Sequence, residues 1–378
     1  MKTTRLAQLA SLAVVGSMAL AACGSDNTTG TTSAEGSSSS ASASESAATE
    51  CFSGTINAEG SSAQKNAIEE AIASYGEACK DAKLNYNPTG SGAGIKQFIA
   101  GQVDFAGSDS ALKTEGKDGA QSEAAQAEAF CGSPAWNLPM VTGPIAIAFN
   151  VKGVDKLTIT PAVAADIFSG KITTWNDAKI AEINKGVTLP ATAIKVFFRS
   201  DESGTTENFT KYLKAAAPEG WTADASKKWT GAGEGKEKSA GVAEGVKSTD
   251  GGVTYVEWSY AKDNKLGIAS VDNGAGAVEL TGESVGKAVA VAEQAGTGND
   301  LALKLDYATK EAGAYPIILV TYEIVCSKNK DAEKGKNIKA FLKHFASTDV
   351  QKGLEEIGYA PLPKEVEDKV LTAIDALS

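Results

Sequence analysis

Three short loops rich in Ser, Thr and Gly each stand where a strand pattern gives way to a helix pattern. They are Gly60-Ser61-Ser62-Ala63, Thr89-Gly90-Ser91-Gly92 and Ser203-Gly204-Thr205-Thr206. The first N–H groups of a helix have no partner within it, and the macrodipole adds partial positive charge there. Glycine lets the backbone come close, and Ser or Thr adds a hydroxyl donor, so the chemistry on offer is capture of an anion. One such loop alone is also what an ordinary helix cap looks like. The three gain meaning from Arg199, because the chain has only two arginines and the other is Arg5. A guanidinium is a planar fork suited to a tetrahedral oxyanion, whereas Lys is a point charge. Asp201, two residues on, is placed to hold that fork. The expected ligand donors are Ser62, Ala63, Ser91, Arg199, Ser203, Gly204 and Thr205.

Asp109 is the residue expected to select among oxyanions, the alternative being an ordinary turn or N-cap Asp. It follows a short strand, at the carboxyl edge where α/β sheets bind ligands. A carboxylate in an anion site is unfavourable unless the ligand brings it a proton. Phosphate near neutral pH carries an O–H and sulfate carries none, so Asp109 accepts from the first and repels the second.

The elements that must position these residues alternate along the chain. Strand patterns at 54–58, 83–87 and 103–106 are followed by helix patterns at 64–79 and 95–100. Residues 112–128 read as an exposed helix, 139–149 as a buried strand, and 159–168 and 176–184 as further α/β units. The strand 194–198 runs into Arg199 and a helix carrying Phe209, Tyr212 and Leu213. Residues 230–250, rich in Gly and Lys, read as surface loop and turns. Residues 316–325 are the strongest strand, and helices follow at 333–346 and after Pro363. The pattern is α/β with a mixed, mostly parallel sheet.

The chain has 378 residues, enough for two core-bearing lobes, and a net charge of −11. That balance argues against general nucleic-acid binding, so any anion site must be local. With one histidine, His344, and no CxxC, neither a metal site nor a nucleophile–base pair is expected. No cofactor is expected either, and the chain reads as a binder and not an enzyme.

Residues 1–22 read as a signal peptide, with Lys2 and Arg5 before an apolar stretch too short to span a bilayer. Leu20-Ala21-Ala22-Cys23 resembles a lipobox, which makes Cys23 the expected lipidation site, acylated with palmitate-type chains. Loss of Lys2 and Arg5 leaves 34 basic and 47 acidic residues, a net charge of −13. Residues 23–50, rich in Ser, Thr and Ala, read as a disordered tether. Cys51, Cys79, Cys131 and Cys326 remain, and an even number in an exported chain suggests two disulfides. Three pairings are open. Cys51 before the first strand and Cys79 closing the first helix favour Cys51–Cys79, with Cys131–Cys326 as the remainder.

These residues carry a family resemblance. Asn85-Tyr86-Asn87-Pro88-Thr89-Gly90-Ser91-Gly92-Ala93-Gly94, Val103-Asp104-Phe105-Ala106-Gly107-Ser108-Asp109 and Arg199-Ser200-Asp201-Glu202-Ser203-Gly204-Thr205 resemble the ligand loops of the phosphate-specific periplasmic-type solute-binding proteins (PstS family) of ABC importers. Ile167-Phe168-Ser169-Gly170-Lys171-Ile172-Thr173-Thr174-Trp175-Asn176 is similar to another stretch of that family. The likeness runs in order over about residues 54–375. It departs at Ser62-Ala63, where many relatives carry Thr-Phe. The resemblance implies a two-lobed, hinged type II binding-protein fold, with lobe I at 51–147 plus 320–378 and lobe II at 148–319. It implies extracytoplasmic capture of inorganic phosphate between the lobes and delivery to the permease and ATPase of an importer, from a lipid anchor on the outer face of the cell membrane. The competing readings are a binder of another oxyanion such as phosphonate or sulfate, and a surface adhesive lipoprotein.

Overall fold

The structure, a computed structural model, describes residues 49–378 apart from Lys117. The expected signal peptide, Cys23 and most of the tether lie outside the described residues. Among those described, no helix is long and apolar enough to cross a membrane.

The chain opens with β1 (Gly54–Gly60), α1 (Lys65–Ala78), β2 (Ala82–Asn87), α2 (Ser91–Ile99), β3 (Phe105–Ser108), α3 (Glu123–Cys131) and the long β4 (Ala135–Asn150). It continues through β5 (Thr158–Ile159), α4 (Pro161–Phe168), α5 (Ala178–Ile183), β6 (Lys195–Arg199), α6 (Gly204–Ala216), β7 (Glu234–Lys236), α7 (Lys238–Lys247), β8 (Gly252–Glu257) and α8 (Trp258–Asp263). Then come β9 (Gly267–Ile268), β10 (Ser270–Asp272), β11 (Ala277–Val278), α9 (Gly282–Ala290), β12 (Glu293–Gln294), β13 (Leu303–Lys304), β14 (Ile318–Cys326), α10 (Ala332–Phe345), α11 (Thr348–Glu356) and α12 (Lys364–Asp375).

The main sheet runs β2-β1-β3-β14-β4-β8-β6-β7, with β9 on β4. Pairing is parallel among β1, β2 and β3 and among β6, β7 and β8, and antiparallel where β14 and β4 join the two groups. β4 pairs with β14 up to Pro144 and with β8 from Ile145, so one strand serves both halves. It can do so because its side chains from Asn137 to Phe149 are all buried, as the near-continuous apolar run requires. The result is the mixed α/β fold read from the sequence.

Each half has its own core. Helix α1 buries Ala67, Ile68, Ala71 and Tyr75, the spacing of one helical face, against Phe341 of α10. On the other half Phe168, Phe209, Trp229 and Tyr255 pack ring to ring, with Phe209 and Tyr255 stacked at 4.6 Å.

Three local expectations are corrected. Helix α2 starts at Ser91, four residues before the expected Ile95. Its glycines serve close packing: a Cβ at Gly94 would come within 2.5 Å of the Gly60 Cα. The described residues among 112–122 are not helical, and α3 starts only after Ser122, whose hydroxyl accepts from the Ala125 N–H. Residues 230–250 are not loop, because they hold β7 and α7. The apolar residues Val242, Ala243 and Val246 of α7 are buried.

Both disulfides form as favoured, Cys51–Cys79 and Cys131–Cys326. They close loops of very different length, 28 and 195 residues apart. Replacing both cysteines of the long loop by Ser is expected to cost up to about 5 kcal/mol, and of the short loop about 3.5 kcal/mol. Chemical denaturation of the two double variants gives the comparison.

Candidate functional site

The ends of the parallel strands converge. β1 delivers Ser61 to Ala63, β2 delivers the start of α2, and β3 delivers Asp109. From the other half, β6 delivers Arg199 and the start of α6, β7 delivers the start of α7, and β8 ends at Glu257. Carboxyl ends of parallel strands are where open α/β sheets place ligands.

Arg199 is 2% exposed. Its Nε and Nη2 donate to the two oxygens of Asp201 at 2.7 and 2.5 Å, the bidentate fork expected of it. Its Nη1 donates to Thr205 Oγ1 at 3.2 Å and Ser239 Oγ at 3.0 Å. Burial pulls the guanidinium pKa down, but the Asp201 pair outweighs it and holds the group above its ordinary value. Burial likewise pushes Asp201 up, and Arg199 overrides it, leaving the carboxyl below its usual range.

Asp109 is 3% exposed and is held by three hydroxyls. Ser61 and Thr321 donate to Oδ1 at 2.5 and 2.7 Å, and Ser91 donates to Oδ2 at 3.0 Å. Burial pushes its carboxyl up to about 6, the charge of Glu257 adding to it and the three hydroxyls opposing.

The Ser203–Thr205 turn lies between these two centres. A Cβ at Gly204 would come within 2.5 Å of Ser91 Oγ and 2.7 Å of Asp109 Oδ2, so only glycine permits this approach. Thr205 Oγ1 takes the Arg199 bond and donates to Glu257 at 2.5 Å. Ser203 accepts from the Thr206 N–H at 3.1 Å, so its hydroxyl works as the helix cap. Ser62 Oγ lies 3.0 Å from Ser239 Oγ, which joins the first loop to Arg199. Ser62, Ala63, Ser91, Asp109, Arg199, Asp201, Ser203, Gly204 and Thr205 thus lie together in one cluster.

Three consecutive carbonyls of the first loop are each tied back by a tyrosine. Tyr86 donates to Ser61 O at 2.7 Å, Tyr260 to Ser62 O at 3.0 Å and Tyr359 to Ala63 O at 2.7 Å. With its carbonyls held, the loop is set rigidly at the α1 start.

Sequence reasoning missed Ser239, Thr321 and Glu257 as members of this cluster. For Ser239 the helical spacing of Val242, Ala243 and Val246 was the available signal. For Thr321 it was a polar residue, with Glu323 two positions on, inside an apolar strand. Among the described residues, no group of His, Cys, Asp or Glu is arranged to hold a metal.

The PBP superfamily domain matches residues 23–349. The chain is 42% identical over 385 aligned positions to phosphate-binding protein PstS 3 of Mycobacterium tuberculosis, covering all of both chains. It is 35% identical over 295 positions to phosphate-binding protein PstS of Xylella fastidiosa, covering 76% of each. A solved structure from Clostridium perfringens, described as a putative phosphate ABC transporter substrate-binding protein with bound phosphate, shares the fold at a TM-score of 0.57 and 18% identity, over 82% of this chain and 100% of that one. With a cluster of helix starts around one forked arginine, and full-length likeness to the Mycobacterium tuberculosis protein, the chain belongs to the PstS phosphate-binding proteins of the PBP superfamily.

Proposed function

We propose that this protein captures inorganic phosphate between its two half-sheets and hands it to the permease and ATPase of an ABC importer. The carrying observation is the pairing of a buried, forked Arg199 with a buried Asp109 across Gly204. The first neutralises the anion and the second demands a ligand proton. Ser62, Ala63, Ser91, Ser203, Gly204 and Thr205 supply the other donors, and Ser239 joins them. The role is binding and release without turnover.

The two lobes are 51–147 plus 320–378 and 148–319, hinged where β4 changes partner at Ile145. Support comes from the cores, since one apolar cluster holds Ile145 to Leu319 almost alone and the others hold residues from both chain ends. The working place is extracytoplasmic, with the body tethered through Cys23 to the outer face of the membrane.

Titration calorimetry on the full chain, stripped of carried-over phosphate, tests the reading. Phosphate binding at micromolar level or tighter, unmoved by excess sulfate, is the expected result. Absence of phosphate heat, or equal competition by sulfate, would sink it.

A further inference from the structure

Glu323 is a buried carboxyl that the binding scheme does not use. It lies in β14, opposite Gly107 of β3 and Leu138 of β4, and is 0% exposed. Neither of its oxygens completes a hydrogen bond, and the neighbouring Gln64 amide is turned to Tyr86. It stands two residues from Thr321, on the same face of the strand, and Thr321 donates to Asp109 at 2.7 Å. The polar and titratable groups bearing on it are Gln64, Asp109 and Tyr86, and none is a cation. The Gln64 amide already donates to Tyr86 at 3.0 Å, and its own Oε1 is likewise without a partner. Leu138 on the β4 side is apolar and fully buried.

An ionised carboxylate with no cation and no completed hydrogen bond is costly in such a place. The cluster around it is already rich in acid. A single guanidinium, Arg199, faces Asp201 and Glu257, and the charge of Glu257 also bears on Asp109. Burial pushes Glu323 up to about 8, the Gln64 amide opposing and the charge of Asp109 adding to it.

We propose that Glu323 is kept as the neutral acid behind the ligand cluster, and that losing its proton to solvent weakens anion binding by placing a second buried negative charge beside Asp109. This rests on the phosphate reading for its binding consequence only. Glu323 touches no ligand; it acts through Asp109 as a charge-setting residue.

The test compares the full chain with Glu323→Gln, a neutral side chain of the same shape. Phosphate affinity is measured by calorimetry from about pH 6 to about pH 9.5. Ionisation of phosphate itself affects both proteins alike, so the ratio isolates residue 323. The expected ratio is near one at the acid end, with wild type weaker by about tenfold at the alkaline end. Infrared titration without phosphate supplies the second arm. Wild type should show a carboxylic-acid carbonyl band at neutral pH that vanishes near pH 8, is missing in Glu323→Gln, and titrates at lower pH in Asp109→Asn. The Asp109→Asn shift carries the test if Glu323→Gln does not fold. A flat ratio across pH, or no acid band in wild type at neutral pH, overturns the proposal. If neither protein binds phosphate, the phosphate reading falls with the binding half of the proposal, while the infrared arm still decides the protonation.

Discussion

Arg199→Lys is expected to lower phosphate affinity by about a hundredfold to ten-thousandfold while keeping the charge. The physical reason is shape. The guanidinium spends two donors on Asp201 and one nitrogen on Thr205 and Ser239. A lysine ammonium has three donors on a flexible stem and cannot hold the bidentate pair, Thr205 and a ligand together. Losing about two charge-assisted hydrogen bonds, each worth about 1.5–3 kcal/mol, gives that range. Truncation to Arg199→Ala leaves Asp201 and Glu257 without a cation and is expected to cost about 3–5 kcal/mol of folding stability as well. Calorimetry separates the first effect from the second, which thermal melting reads. An unchanged Kd in a folded Arg199→Lys protein would remove the arginine from the site.

Asp109→Asn is expected to erase discrimination against sulfate. A site built to pair a ligand hydroxyl rejects an analogue without one by about 10⁴–10⁵-fold. Asn can donate where Asp can only accept, so sulfate should gain and phosphate lose. The raised pKa of Asp109, about 6, makes a matching claim for the unaltered protein. Above pH 6 the carboxylate repels sulfate. As pH falls through that value the neutral acid becomes a donor, and sulfate competition should appear. The sign for stability runs the same way: the folded state favours the proton, so stability falls as pH rises from the ordinary Asp range to about 6. Competition calorimetry at about pH 5 and pH 8, on both proteins, measures the effect. Equal rejection of sulfate by Asp109→Asn would move selectivity to some other residue.

Such raised carboxyls carry a cost that the rest of the fold offsets. For Glu323, a shift from 4.5 to about 8 corresponds to stability on the order of 4–5 kcal/mol, lost progressively as pH rises through that window and constant beyond it.

What the sequence made legible was what is local. Ser, Gly and Asp at strand ends announce themselves, because helix starts and strand edges are defined by a few neighbouring residues. The loops at Ser62, Ser91 and Ser203, the fork of Arg199 and Asp201, and Asp109 were all of this kind. Ser239 was hidden because Gly and Lys around it mask a short helix whose apolar spacing begins only at Val242. Thr321 was hidden for another reason: its partner Asp109 is 212 residues away, and only the antiparallel pairing of β3 with β14 brings them together. Tyr86, Tyr260 and Tyr359 look like core aromatics one by one. That they hold three successive carbonyls of a single loop is a property of the fold.

The solitude of Arg199 has an experimental side. Among the described residues it is the only arginine, and it is 2% exposed. A dicarbonyl reagent selective for guanidinium groups therefore has one target in the folded body, and on the proposed hinge it is expected to reach it when the two half-sheets part. The modification rate becomes a clock for that opening, and a ligand that keeps the halves together would slow it.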